Sequence, residues 1–176
     1  MDRRDFLKTV AVSGAAMTIQ RSEAMEILTQ AVNSTGKPDL VAVMGDEPEL
    51  MFQRAIAELG GMKQFVKSGQ KVVVKPNIGW DKVPELAGNT NPKLVAEIVK
   101  QCFAAGAKEV TVFDHTCDDW QKCYKNSGIE SAAKAAGAKV MPAHLESYYR
   151  PVDLSEGKNM KKAKIHEAIL NCDVWI

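Results

Sequence analysis

The sequence predicts an α/β fold: an open, mostly parallel, Rossmann-like sheet of about five strands with helices on both faces. Three observations point to it. From Asp39 onward, short β-branched runs alternate with longer amphipathic segments, as in repeated βα units. Glycine follows three of the four longer segments where a helix needs a left-handed terminus, as in Ala105-Gly106 and Ala136-Gly137. The chain of 176 residues is 45% apolar and 26% charged, which suits one globular body with a single core.

Taken in order, Leu40–Met44 reads as the first strand and Glu47–Leu59 as a helix closed by Gly60-Gly61. Lys71–Lys75 is the second strand, built on Val72-Val73-Val74. Pro92–Ala105 is the clearest helix. Its Leu94, Val95, Ile98, Val99, Cys102 and Phe103 share one face of a 3.6-residue period, and Asn91-Pro92 supplies an N-cap acceptor and a first-turn proline. Glu109–Phe113 follows as a strand, then Trp120–Ala136 as a helix broken at Gly128, and Ala138–Met141 as a strand. Lys164–Leu170 is expected to be helical and Asp173–Ile176 to be the last strand. The sequence stops inside that apolar run, so the domain is expected to be incomplete at its C-terminus.

An open parallel sheet binds ligands at the carboxyl ends of its strands. The residues there are Lys75-Pro76-Asn77, then Thr90-Asn91 beyond a long loop, Asp114 to Asp119, and Pro142-Ala143-His144. Lys75 ends an apolar strand, so its ammonium needs an anionic partner such as Asp114 or a ligand carboxylate or phosphate, unless it extends to solvent. Trp80, in the loop, can stack on a ligand or plug the sheet edge. Thr90 and Asn91 bring polar groups and free helix N–H donors to the same rim. These considerations make Lys75, Asn77, Thr90 and Asp114 the ligand-binding candidates.

Cys102 and Cys172 read as core residues. Cys117 and Cys123 lie beside Asp114, His115, Asp118 and Asp119, where a disulfide, a metal site or two free thiols all fit the spacing. His115, Cys117 and Cys123 are therefore the metal or redox candidates. No Cys-x-x-Cys-x-x-Cys run, Gly-x-Gly-x-x-Gly or phosphate loop occurs, and the cofactor stays unassigned. A net charge of +1 leaves no broad basic surface for nucleic acid.

The N-terminus reads Asp2-Arg3-Arg4-Asp5-Phe6-Leu7-Lys8, followed by an apolar run from Val10 to Ile19 that is too short to span a bilayer. It resembles a twin-arginine export signal, with Asp2 in place of the usual hydroxyl residue. The resemblance implies a twin-arginine translocase as partner and a periplasmic location, with Ser22-x-Ala24 as the one small-residue cleavage site and a membrane anchor if it is not cut. The expected organisation is a signal over residues 1–24, a linker over 25–38 and an α/β domain over 39–176.

Val72-Val73-Val74-Lys75-Pro76-Asn77, Thr90-Asn91-Pro92, Ala105-Gly106-Ala107, Val110-Thr111-Val112-Phe113-Asp114 and Ser127-Gly128-Ile129 form an ordered set. Together they resemble the N-terminal half of the domain-of-unknown-function family 362, from about Asp39 to Ile176. The resemblance marks Lys75, Asn77, Thr90 and Asp114 as the family's polar positions, and puts Asn91 where many relatives carry histidine. It implies a redox or cofactor-linked setting, with iron–sulfur modules as partners. Two functions are expected from all of this. One is an exported α/β enzyme, or part of one, that holds an anionic ligand or metal cofactor at the strand ends. The other is a periplasmic ligand-binding module without chemistry.

Overall fold

The computed structural model describes residues 38–176; the twin-arginine segment and almost all of the expected linker lie outside the described residues. The chain forms a mixed α/β domain around a four-stranded sheet. In order come α1 (Pro48–Glu58), β1 (Lys71–Val74), α2 (Pro92–Ala104), β2 (Glu109–Val112), α3 (Trp120–Asn126), α4 (Ile129–Ala135) and β3 (Lys139–Val140). After these follow β4 (Tyr149–Asp153), β5 (Lys162–His166), α5 (Glu167–Leu170) and β6 (Val174–Trp175). The sheet runs β3-β2-β1-β6 and every pairing in it is parallel, with Val72 opposite Val110 on one side and Val174 on the other.

Alternation along β1 and β2 assigns the two faces. Val72, Val74, Val110 and Val112 pack with Ile56 of α1, Val95, Val99 and Cys102 of α2, and Ile129 and Ala133 of α4. Val73 and Phe113 point the other way, toward Ala143 and Ala168, so that face is covered by the β3–β4 connection and the single turn of α5. The second face is the thinner layer, and Thr111 is buried within it.

Local signals behave as their chemistry requires. Asn91 caps α2 by accepting the Lys93 N–H at 2.9 Å, and Pro92 occupies the first turn. The helical stretch after β2 does break at Gly128, which adopts φ 72° between α3 and α4, a conformation that costs glycine little.

Two expected elements differ. Leu40–Met44 forms no strand: among the described residues the stretch has no hydrogen-bonded neighbour, and Leu40 and Met44 are 84% and 98% exposed. The sheet therefore has four strands rather than five. A β-branched run prefers a pleated, half-buried surface, and without a strand to pair with it gains nothing from extending. Lys164–Leu170 is not one helix. Lys162–His166 pairs antiparallel with Tyr149–Asp153, a second sheet of two strands, and only Glu167–Leu170 is helical. The alternation of Lys162 and Lys164 with Ala163 and Ile165 has the period of a strand. Among the described residues no helix is long and apolar enough to cross a membrane.

Ile129 begins α4 and is fully buried between that helix and the sheet. Ile129→Ala should lower the unfolding free energy by ~2–5 kcal/mol through lost transfer energy and a residual cavity. Urea denaturation checks this, and a loss below ~1 kcal/mol would show that the layer collapses onto the vacated space.

Candidate functional site

Parallel pairing of β1 with β2 puts the residues beyond Val74 and Val112 side by side at one edge of the sheet. Lys75 and Asp114 meet there. The Lys75 Nζ lies 2.5 Å from Asp114 Oδ1, with the lysine side chain 52% exposed and the aspartate side chain 6%. The other carboxylate oxygen, Oδ2, accepts the Ile78 N–H at 2.7 Å. Below it, the Tyr124 hydroxyl accepts the Asp114 N–H at 2.8 Å and sits within 2.8 and 3.0 Å of the Asp114 and Met141 carbonyls, one of which takes its proton. Burial pushes the Tyr124 phenol up to about 12, and the Asp114 charge adds to the rise. On the other side, the Lys75 N–H donates to the Ile176 carbonyl at 2.9 Å, so its backbone is fixed to β6 while its side chain reaches toward β2.

Asn77 and Thr90 belong to the same rim but are occupied with each other. The Asn77 N–H donates to Thr90 Oγ1 at 2.9 Å and the Thr90 N–H returns to the Asn77 carbonyl at 3.0 Å, closing the long loop at its base. The Asn77 amide spans the turn inside, accepting the Gly79 N–H and donating to the Gly88 carbonyl. Asn89 holds both backbone groups of Trp80, whose indole is 45% exposed and so plugs nothing completely. These residues shape the loop, and Lys75 and Asp114 form the charged site that it frames.

The metal and redox candidates do not converge. Cys123 is buried and its thiol points to the Gly79 carbonyl at 3.6 Å; burial pushes it up, and the carboxylates of Asp118, Asp81 and Asp119 act in the same direction. Cys117 is exposed, and both are free thiols, as are Cys102 and Cys172. The Cys117 backbone N–H donates to the Gly79 carbonyl at 2.8 Å, joining the loop after β2 to the loop after β1. Among the described residues no three of His, Cys, Asp and Glu gather as metal ligands.

His115 instead turns toward a cleft of about 470 Å³, lined by His115, His144, Leu145, Glu146, Tyr149 and Lys164. Strand-end reasoning reaches His144, but Tyr149 and Lys164 come from the β4–β5 hairpin, where the sequence suggests a helix from Lys164 instead. The hairpin is held by aromatic packing. His166 stacks on Phe113 with centroids 4.1 Å apart, meets Tyr149 edge-on at 5.3 Å, accepts the Ala168 N–H at Nδ1 and donates from Nε2 to the Pro142 carbonyl. Its ring nitrogens are thus both engaged, and the tautomer follows from its partners.

The family model described as a domain of unknown function (DUF362) matches residues 72–176, which contain all of the site residues above. No curated protein and no solved structure matches the chain.

Because the folded state keeps the Tyr124 proton beyond its ordinary value of 10, the associated stability is intact below pH 10 and is lost as pH rises toward 12. Cys102, pushed up to about 11 by burial, adds the same sign. Tyr124→Phe should flatten that alkaline decline and cost ~1–3 kcal/mol at neutral pH, since the buried Asp114 N–H loses its acceptor. Urea midpoints measured at pH 7 and pH 10.5 test both, and an unchanged alkaline slope would exonerate the phenol.

Proposed function

Since the chain belongs to the DUF362 family, whose description names no activity, we propose that its sheet edge binds a small anionic ligand through the Lys75 ammonium. The observation that supports this is the unequal exposure of the Lys75–Asp114 pair: a buried carboxylate holds a half-exposed ammonium at the rim. An ammonium has three donors, and the aspartate engages it from within, leaving the outward side for a carboxylate or phosphate. The sheet order suits such a site. The chain passes from β1 outward through β2 to β3 and returns to the far side of β1 as β6, so the order reverses beside Lys75. That reversal, with α1, α2 and α4 on one face and the short α5 on the other, supports a doubly wound, Rossmann-like reading of the fold, and in such sheets ligands bind at the reversal.

The second reading, a binding module without chemistry, draws on the same geometry, an ammonium positioned at the rim by a buried carboxylate. An iron–sulfur or metal-linked role would rest on a partner carrying the group. Cys117 is exposed, Cys123 faces a backbone carbonyl, and the sequence has no cluster-binding run. The Arg3-Arg4 segment supports export through the twin-arginine translocase to the periplasm, with a membrane anchor if the signal is retained.

Two experiments test these proposals. Inorganic phosphate titrated against the protein by calorimetry should bind, and Lys75→Met should weaken it at least tenfold while the circular dichroism spectrum is retained. Equal binding by the variant would remove Lys75 from the site. Because the lysine is half solvated, the substitution should cost only ~1 kcal/mol of stability, against ~3 kcal/mol for Asp114→Ala, which strips a buried acceptor from Ile78 N–H and Lys75. For the address, replacing Arg3 and Arg4 together by Lys should stop export, since a lysine lacks the planar guanidinium fork. The double-lysine protein appearing outside the cytoplasm at the normal level would refute the twin-arginine assignment.

A further inference from the structure

The cleft beside the ion pair has walls of a particular chemistry. His115, His144 and Tyr149 contribute three rings to its lining, and Leu145, 49% exposed, supplies an apolar patch. His144 is backed by Trp120, the two rings parallel within 8° at 4.4 Å, and its edge is met by Tyr148 at 5.9 Å. That contact fixes the plane of an imidazole that is otherwise exposed. His115, also exposed, stands at 62° to Tyr149 with centroids 6.4 Å apart. The Tyr149 hydroxyl is anchored on the Ala143 carbonyl at 2.9 Å, so this ring too is held in place. Oriented rings around a cleft of this size suit a flat π system, which gains stacking energy that a saturated skeleton cannot.

Charge in the cleft is already balanced, because Lys164 is paired with Glu146. A cation with donors to spare is Lys75, held by Asp114, the chain neighbour of His115. The Asp114 charge acts on Tyr149, whose phenol is raised first by burial and then by that carboxylate. The ion pair follows β1 and β2, and the chain step from Asp114 to His115 leads from it to the lining of the cleft.

We infer that the ligand of the ion pair and the cleft together is an aromatic or heteroaromatic ring bearing a carboxylate or phosphate, with the ring among His115, His144 and Tyr149 and the anion at Lys75. The inference rests on the anion-binding reading above for its charged half only. The chain has three histidines, and the third, His166, is 2% exposed where the hairpin packs on Phe113, so the imidazole resonances separate cleft from core.

The experiment titrates the protein with naphthalene-2-carboxylate, its saturated decahydro analogue, neutral 2-naphthalenemethanol and inorganic phosphate, following the histidine imidazole signals by NMR. Naphthalene-2-carboxylate should shift His115 and His144, leave His166 in place, and bind at least tenfold more tightly than the saturated acid. His144→Ala should bring the two acids to similar affinity without weakening phosphate. Equal affinity of the two acids for the wild-type protein, or aromatic binding that leaves His115 and His144 unmoved, would overturn the ring site even if phosphate binds. If phosphate fails to bind while 2-naphthalenemethanol still shifts His115 and His144, the anion reading fails and the combined ligand with it, and only the stacking half survives.

Discussion

The carboxylate of Asp114 is the constraint on which the site depends. A buried negative charge must be met by donors, and here the Lys75 ammonium and the Ile78 N–H meet it from two points of one loop. Satisfying it dictates where the chain goes after β1: the strand's last lysine must lean toward β2, and the backbone three residues later must turn its amide back to the same carboxylate. The loop beyond Ile78 can then only run outward, and the Asn77–Thr90 exchange returns it to the start of α2. Tyr124 completes the arrangement by binding the backbone of Asp114, so α3 is tied to the end of β2 through a single hydroxyl.

The two faces of the sheet then have different work. One is covered by α1, α2 and α4 and carries most of the apolar core. The other has only a short helix and the β3–β4 connection, so aromatic rings take the place of a helical layer. Phe113, His166 and Tyr149 stack the hairpin onto the end of β2, and the engaged nitrogens of His166 let a polar ring serve as a core residue. The hairpin consequently stands over the strand ends, and the cleft exists because of that position.

What was legible in the sequence follows how local each signal is. The face of α2, the Asn91 cap and the Gly128 break depend on residues within a turn of one another, and they form as the spacing demands. The Lys75–Asp114 pairing was legible because two apolar strands joined by one helical crossover tend to be neighbours, which places their ends together. Leu40–Met44 and Lys162–His166 fail for non-local reasons. The first has strand composition and no partner among the described residues; the second has a strand's alternation, but its partner Tyr149–Asp153 contains Pro151, which reads as a break until the strand is seen to lie on an edge. Without the hairpin, Tyr149 and Lys164 could not be assigned to the site, and the aromatic character of the cleft was invisible.

The charged pair alone is a weak recognition device. Seen from a distance it is neutral, and Lys75 is half in water, so an approaching anion gains little long-range attraction and must compete with solvent for the ammonium. What the pair does provide is position. The lysine loses less conformational entropy on binding because Asp114 already fixes its terminus, and a preorganised donor discriminates by geometry more than by strength. In the proposed site the affinity has to come from elsewhere, and the cleft of His115, His144 and Tyr149 offers oriented, partly exposed rings. In the proposed site, charge that places a ligand and rings that hold it would be complementary parts, and each explains why the other can be modest.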